Sequence, residues 1–344
     1  MHTFFKVQSQ IVPDMLSVMQ KRYQILRSIS LTEPVGRRTL ADMLGMTERV
    51  LRSEAEVLKS LQLIEVKTAG MAVTAKGQEL LLELEDMMRE ISGIRQLEQE
   101  LRKRLGIKKV VIVPGDSDES LIVKEEIGKA CAEMLSQCFE KDSIIAVTGG
   151  TTMACAAEML TKEMGQGKRL LFVPARGGIG EDVKNQANVI CATMAEKTKG
   201  THRVLYVPDQ VSQAVHDSLL KEPTIIEVLN KIKSATIVLH GIGDAITMAK
   251  RRGANPETMK KILEKKAVGE AFGYYFNENG EIVHKVPTIG LQVSDLYDKP
   301  FVIAAAGGNS KSKAIKSYFE TAPDSTILIT DEGAAKMILK GSSH

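Results

Sequence analysis

A chain of 344 residues with 43% apolar and 26% charged residues can build two or three packed domains and is no disordered polymer. Its formal net charge of +3 is too small to make the whole surface a polyanion binder, so any basic site must be local. Four cysteines (Cys131, Cys138, Cys155, Cys191) without a CxxC pair or histidine cluster read as reduced core thiols of a cytoplasmic protein with no metal site, and no run of about 18 apolar residues offers a membrane span.

Residues 1–76 form the first expected domain. Pro13 opens a helical pattern at a first-turn position where its missing N–H is harmless. Met15, Leu16, Met19, Tyr23, Leu26 and Ile29 give that helix one apolar face, and Leu31-Thr32-Glu33-Pro34-Val35-Gly36 ends it. A short helix through Leu40, Ala41 and Leu44 then meets a turn at Gly45. A second helix follows, capped by Thr47 and expected to bury Val50, Leu51, Val57, Leu58 and Leu61. This is helix-turn-helix spacing, and two short strands around Gly70 complete a winged helix.

Through Lys76 there are eleven basic and seven acidic residues, against five and seven from Gly77 to Gly106. The first segment therefore suits phosphate contact, with double-stranded DNA as the expected partner and a three-helix protein-interaction module as the alternative. Thr47, Arg49, Arg52 and Ser53 lie near the start of the second helix, where the two arginines could reach guanine edges. Arg37, Arg38 and Lys67 are candidates for phosphates; Glu48 and Glu54 should face the protein or a base edge.

Residues 77–106 are the expected linker. An apolar seam runs from Leu80 through Met87, Met88 and Ile94 to Leu101 and Leu105, with Gly93 marking either a kink or a break between two helices. Such a seam is expected to pair with its own copy in a homodimer, spacing two readers on a palindromic operator. Packing on the chain's own second domain is the other possibility.

Residues 107–344 change period. Apolar runs at 110–113, 143–147, 170–173, 204–207, 236–239, 301–306 and 325–330 mostly end in glycine, and most precede a helix. Strands of this kind make a parallel sheet covered on both faces, with its ligand at their carboxyl ends. After the second run comes Thr148-Gly149-Gly150-Thr151-Thr152, an expected phosphate nest in which the glycines allow a tight turn and the threonines add hydroxyls. A plain strand-to-helix turn is the alternative.

Arg176 and Lys311, at other strand ends, extend the nest into a cationic pocket for a phosphorylated small molecule, and Arg251 or Arg252 could meet a second phosphate. Glu270 is either an acceptor for a sugar hydroxyl or an ordinary ion-pair partner, and Asn279-Gly280 suggests a hairpin beside the rim. The residues do not separate a mono- from a bisphosphate. Nucleotide fingerprints are missing, since Gly178-Ile179-Gly180 is a lone GxG. His240 and Asp244 keep open a rival reading, an isomerase- or deaminase-like enzyme carrying a DNA module.

Four motifs carry a family resemblance: Gly149-Gly150-Thr151-Thr152, Arg176-Gly177-Gly178, Gly269-Glu270-Ala271-Phe272-Gly273-Tyr274-Tyr275-Phe276 and Gly307-Gly308-Asn309-Ser310-Lys311-Ser312-Lys313-Ala314-Ile315. They resemble the sugar-binding domain of SorC-type bacterial transcriptional regulators, and the resemblance covers nearly the whole chain, most closely to members that regulate glycolytic genes. It implies an α/β architecture: an N-terminal winged helix-turn-helix, a long linker helix and a C-terminal Rossmann-like domain similar to sugar-phosphate isomerases and deaminases. That domain would serve as a sensor rather than an enzyme. The resemblance further implies a repressor relieved by a phosphosugar, fructose 1,6-bisphosphate in the glycolytic branch, with dimers and tetramers on DNA and no cofactor. The family's effector contacts map onto Gly149, Thr151, Thr152, Arg176, Glu270 and Lys311, with Arg251 added. The residues before Pro13 and the helix to Leu105 are additions to the usual family pattern.

Overall fold

The pattern after Pro13 becomes α1 (Pro13–Thr32) in the computed structural model, which describes residues 13–178, 182–208 and 213–341. The residues before Pro13, and Ile179 and Gly180 of the GxG, lie outside the described residues. Helix α1 packs Ile25, Leu26 and Ile29 against Leu40 and Ala41 of α2 (Arg37–Met43) and against Leu51, Ala55 and Leu58 of α3 (Glu48–Ser60). Between α2 and α3, Gly45 takes φ +61°, a left-handed value open to glycine at little cost. Val50 and Leu61, expected in the core, are 41% and 47% exposed. At 100° per residue they fall at the margin of the stripe centred on Leu51, Ala55 and Leu58.

Strands β1 (Ile64–Lys67) and β2 (Gly70–Val73) pair antiparallel as the wing. The stretch after α1 does more than stop the helix. Val35 donates to Met71 O at 3.1 Å and accepts from Met71 N at 2.8 Å, adding a third edge to the wing.

The linker is broken, not kinked: α4 (Ala75–Ile91) and α5 (Ile94–Leu105) flank Gly93, whose φ is +70°. Contacts divide the chain into a first unit ending at Gln96, with Ser120–Ile122, and a second comprising Leu97–Glu119 and the chain from Val123 onward. Leu101 is fully buried in the single chain, and Glu98 accepts the N–H of Ile112 at 2.8 Å. From Leu97 onward, then, α5 packs as part of the second unit itself.

In the second unit, β3 (Lys109–Val113) is followed by α6 (Leu121–Gln137), β4 (Asp142–Val147), α7 (Thr151–Met159), β5 (Arg169–Pro174), α8 (Ala187–Thr198) and β6 (Thr201–His202). Next come α9 (Gln213–Leu219), α10 (Pro223–Lys233), β7 (Ile237–Gly241), β8 (Gly243–Asp244), α11 (Ala245–Arg251) and α12 (Pro256–Glu264). The chain ends with β9 (Ala267–Ala271), β10 (Tyr274–Asn277), β11 (Ile282–Lys285), β12 (Phe301–Ala305), α13 (Ser312–Phe319), β13 (Ile327–Asp331) and α14 (Glu332–Lys340).

Seven strands form a parallel sheet in the order β3-β13-β12-β7-β4-β5-β6. Ile145, Ala146 and Val147 of β4 and Ile237, Val238 and Leu239 of β7 have no exposure, as strands covered on both faces require. The run at 204–207 is not a strand. Asn188 brackets Leu205 instead, accepting its N–H at 3.0 Å and donating to its carbonyl at 3.1 Å, and the edge pairing with β5 is made earlier, by β6.

From β4 the strand order runs one way through β5 and β6; from β7 it runs the other way through β12 and β13. The reversal between β4 and β7 is a switch point, where the carboxyl ends of the strands open a crevice. A smaller antiparallel sheet, β11-β10-β9-β8, stands beside it. Its β10–β11 connection contains Asn279 and Gly280, while β9 and β10 are joined by a tighter turn with Phe272 at φ +53° and Gly273 at φ +84°.

Candidate functional site

A cavity of about 450 Å³ occupies this crevice, and Gly149, Thr151, Thr152, Arg176, Arg251, Glu270 and Lys311 all line it. The β4–α7 turn supplies one wall. A side chain at Gly149 would put its Cβ 2.7 Å from Asn185 O, so the close approach of the 182–186 segment requires glycine. Gly150 caps α7 at φ +130°. The turn is less open than an all-donor nest, because the N–H of Gly150 donates to Asn185 O at 2.9 Å and that of Thr148 to Leu239 O at 3.0 Å. The first-turn N–H groups of Thr151, Thr152 and Met153 still lack intrahelical acceptors. Thr148 Oγ1 accepts the N–H of Gly241 at 3.2 Å, tying this turn to the end of β7.

Lys311 enters on the loop after β12. Asp331, fully buried, accepts the N–H of Gly308 at 2.6 Å and of Ser117 at 2.8 Å, and Asp118 accepts the N–H of Ser310 at 2.7 Å. These carboxylates hold the loop, and no carboxylate makes an ion pair with the Lys311 ammonium among the described residues. Burial lowers the pKa of Lys311 from its ordinary value; Asp118 and Asp331 oppose the shift, while Lys124 and Arg251 add to it.

Glu270 is 3% exposed, and both readings of it have a structural basis: it lines the cavity and it is ion-paired. Its Oε1 accepts from Gly273 N at 2.6 Å and Arg252 Nη2 at 2.9 Å, with Arg176 Nη1 farther off at 3.5 Å. Burial pushes its carboxyl up, but Arg252, Arg176 and the Gly273 N–H together hold it below the ordinary value. Of the two arginines ending α11, Arg251 lines the cavity and Arg252 does not.

The segment beside the β4–α7 turn was not legible. Asp182, Asn185 and Gln186 line the cavity from this short polar stretch, which carries no motif; Ser310 and Thr247 complete the polar set. His240 and Asp244 do not assemble an acid–base pair in the cavity. His240 is fully buried, with Nε2 3.0 Å from Tyr318 Oη and Nδ1 3.1 Å from Gly241 O, and burial takes its pKa down to about 4. Asp244 lines the cavity but uses Oδ1 to cap α11 through the N–H of Thr247 at 2.8 Å.

In the first unit, α3 leaves Arg49, Arg52 and Ser53 exposed, and Arg37 and Arg38 are exposed in the first turn of α2. Thr47 Oγ1 accepts the N–H of Val50 at 3.3 Å, so this residue caps the helix. Lys67 is exposed and ion-paired to Glu65. Glu54 does face the protein, bound to Arg22 at 2.8 Å and Lys21 at 3.5 Å, and the Arg22 hydrogen bond leads in holding its carboxyl below the ordinary value. Among the described residues no helix is long and apolar enough to cross a membrane.

Residues 89–340 match the family described as "Putative sugar-binding domain", and residues 18–88 match "CggR N-terminal DNA binding domain". Over 340 residues the chain is 52% identical to the central glycolytic genes regulator of Bacillus subtilis (strain 168), covering 99% of each chain. It is 24% identical over 260 residues to the transcriptional regulator LsrR of Escherichia coli (strain K12), covering 72% of this chain and 78% of that one. A SorC family transcriptional regulator from Enterococcus faecalis superposes with a TM-score of 0.68 at 47% identity, over 71% of this chain and 99% of that one. The full-length sorbitol operon regulator SorC of Klebsiella pneumoniae shares the fold, with a TM-score of 0.64 at 17% identity over 89% and 94%.

Proposed function

The chain belongs to the SorC-type family of transcriptional regulators, with the central glycolytic genes regulators, and we propose that fructose 1,6-bisphosphate binds its cavity and releases it from operator DNA. It is a DNA-binding transcriptional repressor whose second unit takes a sugar-phosphate effector. The observation that carries the proposed site is one ligand-sized cavity at the switch point, lined by cations from separate elements. Thr151, Thr152 and Arg176 take one phosphate. Lys311 and Arg251 take the other. Gly149 allows the close approach, and Glu270 accepts a sugar hydroxyl between the two ends.

On DNA, α3 enters the major groove with Arg49 and Arg52 toward base edges and Thr47 and Ser53 beside them, while Arg37, Arg38 and Lys67 meet phosphates. Two copies form a homodimer on the palindromic operator, and two such dimers make a tetramer there. Residues 1–76 read DNA, 77–106 link the subunits and 107–344 sense the effector. Relief of repression requires tighter effector binding to the form with weaker operator affinity.

Calorimetry on the full chain tests the effector. The expected order is fructose 1,6-bisphosphate at least about tenfold tighter than fructose 6-phosphate, with the bisphosphate weakened by Thr152→Ala and by Lys311→Ala alike. Equal affinity for the two sugars would contradict the two-phosphate assignment.

A further inference from the structure

We infer that Arg252 is a positioning residue of the effector site: it holds Glu270 so that Arg176 can serve the ligand's phosphate. The inference rests on the effector reading above. Arg251 and Arg252 are neighbours, yet only the first lines the cavity. One residue on, at the C-cap of α11, the second guanidinium reaches Glu270 and Tyr275 instead. There Nη1 donates to Tyr275 Oη at 3.0 Å and Nη2 to Glu270 Oε1 at 2.9 Å, and the group lies 5.8 Å from the centre of the Tyr275 ring. Tyr275 and Glu270 face each other in register across β9 and β10, so a fixed strand pair receives the guanidinium.

The side chains of Arg252 and Glu270 are 2% and 4% exposed. A buried carboxylate needs its counter-charge, and removing one partner of such a pair leaves a charge that must find another. In the native arrangement the short contact goes to Arg252 and the long one, 3.5 Å, to Arg176. Without Arg252, Glu270 draws Arg176 inward, and the cation that should meet phosphate is neutralised in place. Glu270→Gln removes the cause of that collapse, so the two substitutions are coupled.

Calorimetric titration of the full chain with fructose 1,6-bisphosphate tests this. Arg252→Met should weaken binding about tenfold or more in the native background and less than about threefold in the Glu270→Gln background. Tyr275→Phe, which deletes only the hydroxyl, should cost about threefold in the native background and nothing measurable beside Glu270→Gln; it carries the same comparison should Arg252→Met not fold. Equal penalties in the two backgrounds, or no penalty in the native one, would overturn the role of Arg252 while leaving the effector site standing. Absence of any bisphosphate binding by the unsubstituted protein would overturn the effector reading, and this inference with it.

Discussion

Arg49 and Arg52 stand in solvent on α3, whereas Arg176 is 7% exposed and Lys311 is half-buried at the carboxyl ends of the sheet. The proposed reader's cations keep their water; on DNA they would gain affinity by displacing counterions along a polyanion and specificity only where a base edge is in reach. The sensor's cations are partly dehydrated before any ligand arrives. They are held by a buried carboxylate, by glycine turns and by a loop fixed through Asp331, so their geometry is set for a small anion. The two proposed phosphate sites thus differ in where the desolvation cost falls. On DNA it falls at binding; in the cavity it is met during folding.

Substitutions can break that contrast. Arg49→Ala combined with Arg52→Ala should lower operator affinity about 100-fold by fluorescence anisotropy, if each arginine makes a bidentate base contact. Bisphosphate affinity should not follow, since nothing in the cavity comes from α3. A parallel loss of effector binding would end the separation of the two sites. Gly149→Ala should reduce bisphosphate affinity about tenfold in calorimetry, because the new Cβ meets a backbone oxygen at 2.7 Å and cannot be accommodated by a side-chain shift.

The pH dependence sharpens the same contrast. The lowered pKa of Lys311 means the folded, unliganded protein binds fewer protons than the unfolded chain in the window below the ordinary lysine value. This group therefore costs stability below its folded pKa, and the cost is relieved as pH rises through it. Effector binding runs the other way: phosphate needs the charged ammonium, so affinity should fall as pH rises through and beyond that lowered value, with proton uptake on binding. Lys311→Arg, which stays charged, should flatten the profile. The arginines of α3, in solvent, should give operator binding no comparable slope. The smallest effect is expected at the wing: Lys67→Ala should change operator affinity by about twofold at most, because Glu65 already neutralises Lys67 in part.

The sheet was legible because strands buried on both faces leave unbroken apolar runs, and the β4–α7 turn because its two glycines and two threonines stand where one such run ends. The helix-turn-helix was legible from spacing. Other features depend on tertiary partners. The run at 204–207 looks like a strand until Asn188 takes its backbone groups, and Val35 becomes part of the wing only through Met71. Residue type could not tell Arg251 from Arg252; the 100° step at the end of α11 decides which one lines the cavity. Asp182, Asn185 and Gln186 reach the cavity from a segment with no periodicity to read. The pairing of Glu65 with Lys67 follows from the two-residue period of β1 once that strand is known.

In the proposed repressor, one cavity controls one DNA reader. This control is tested most directly by holding the full chain on labelled operator DNA, near saturation, and titrating fructose 1,6-bisphosphate while anisotropy is followed. The predicted result is release of the DNA, with a midpoint shifted at least about tenfold upward in Lys311→Ala. Anisotropy unchanged at saturating bisphosphate, or the same midpoint in both proteins, would contradict it.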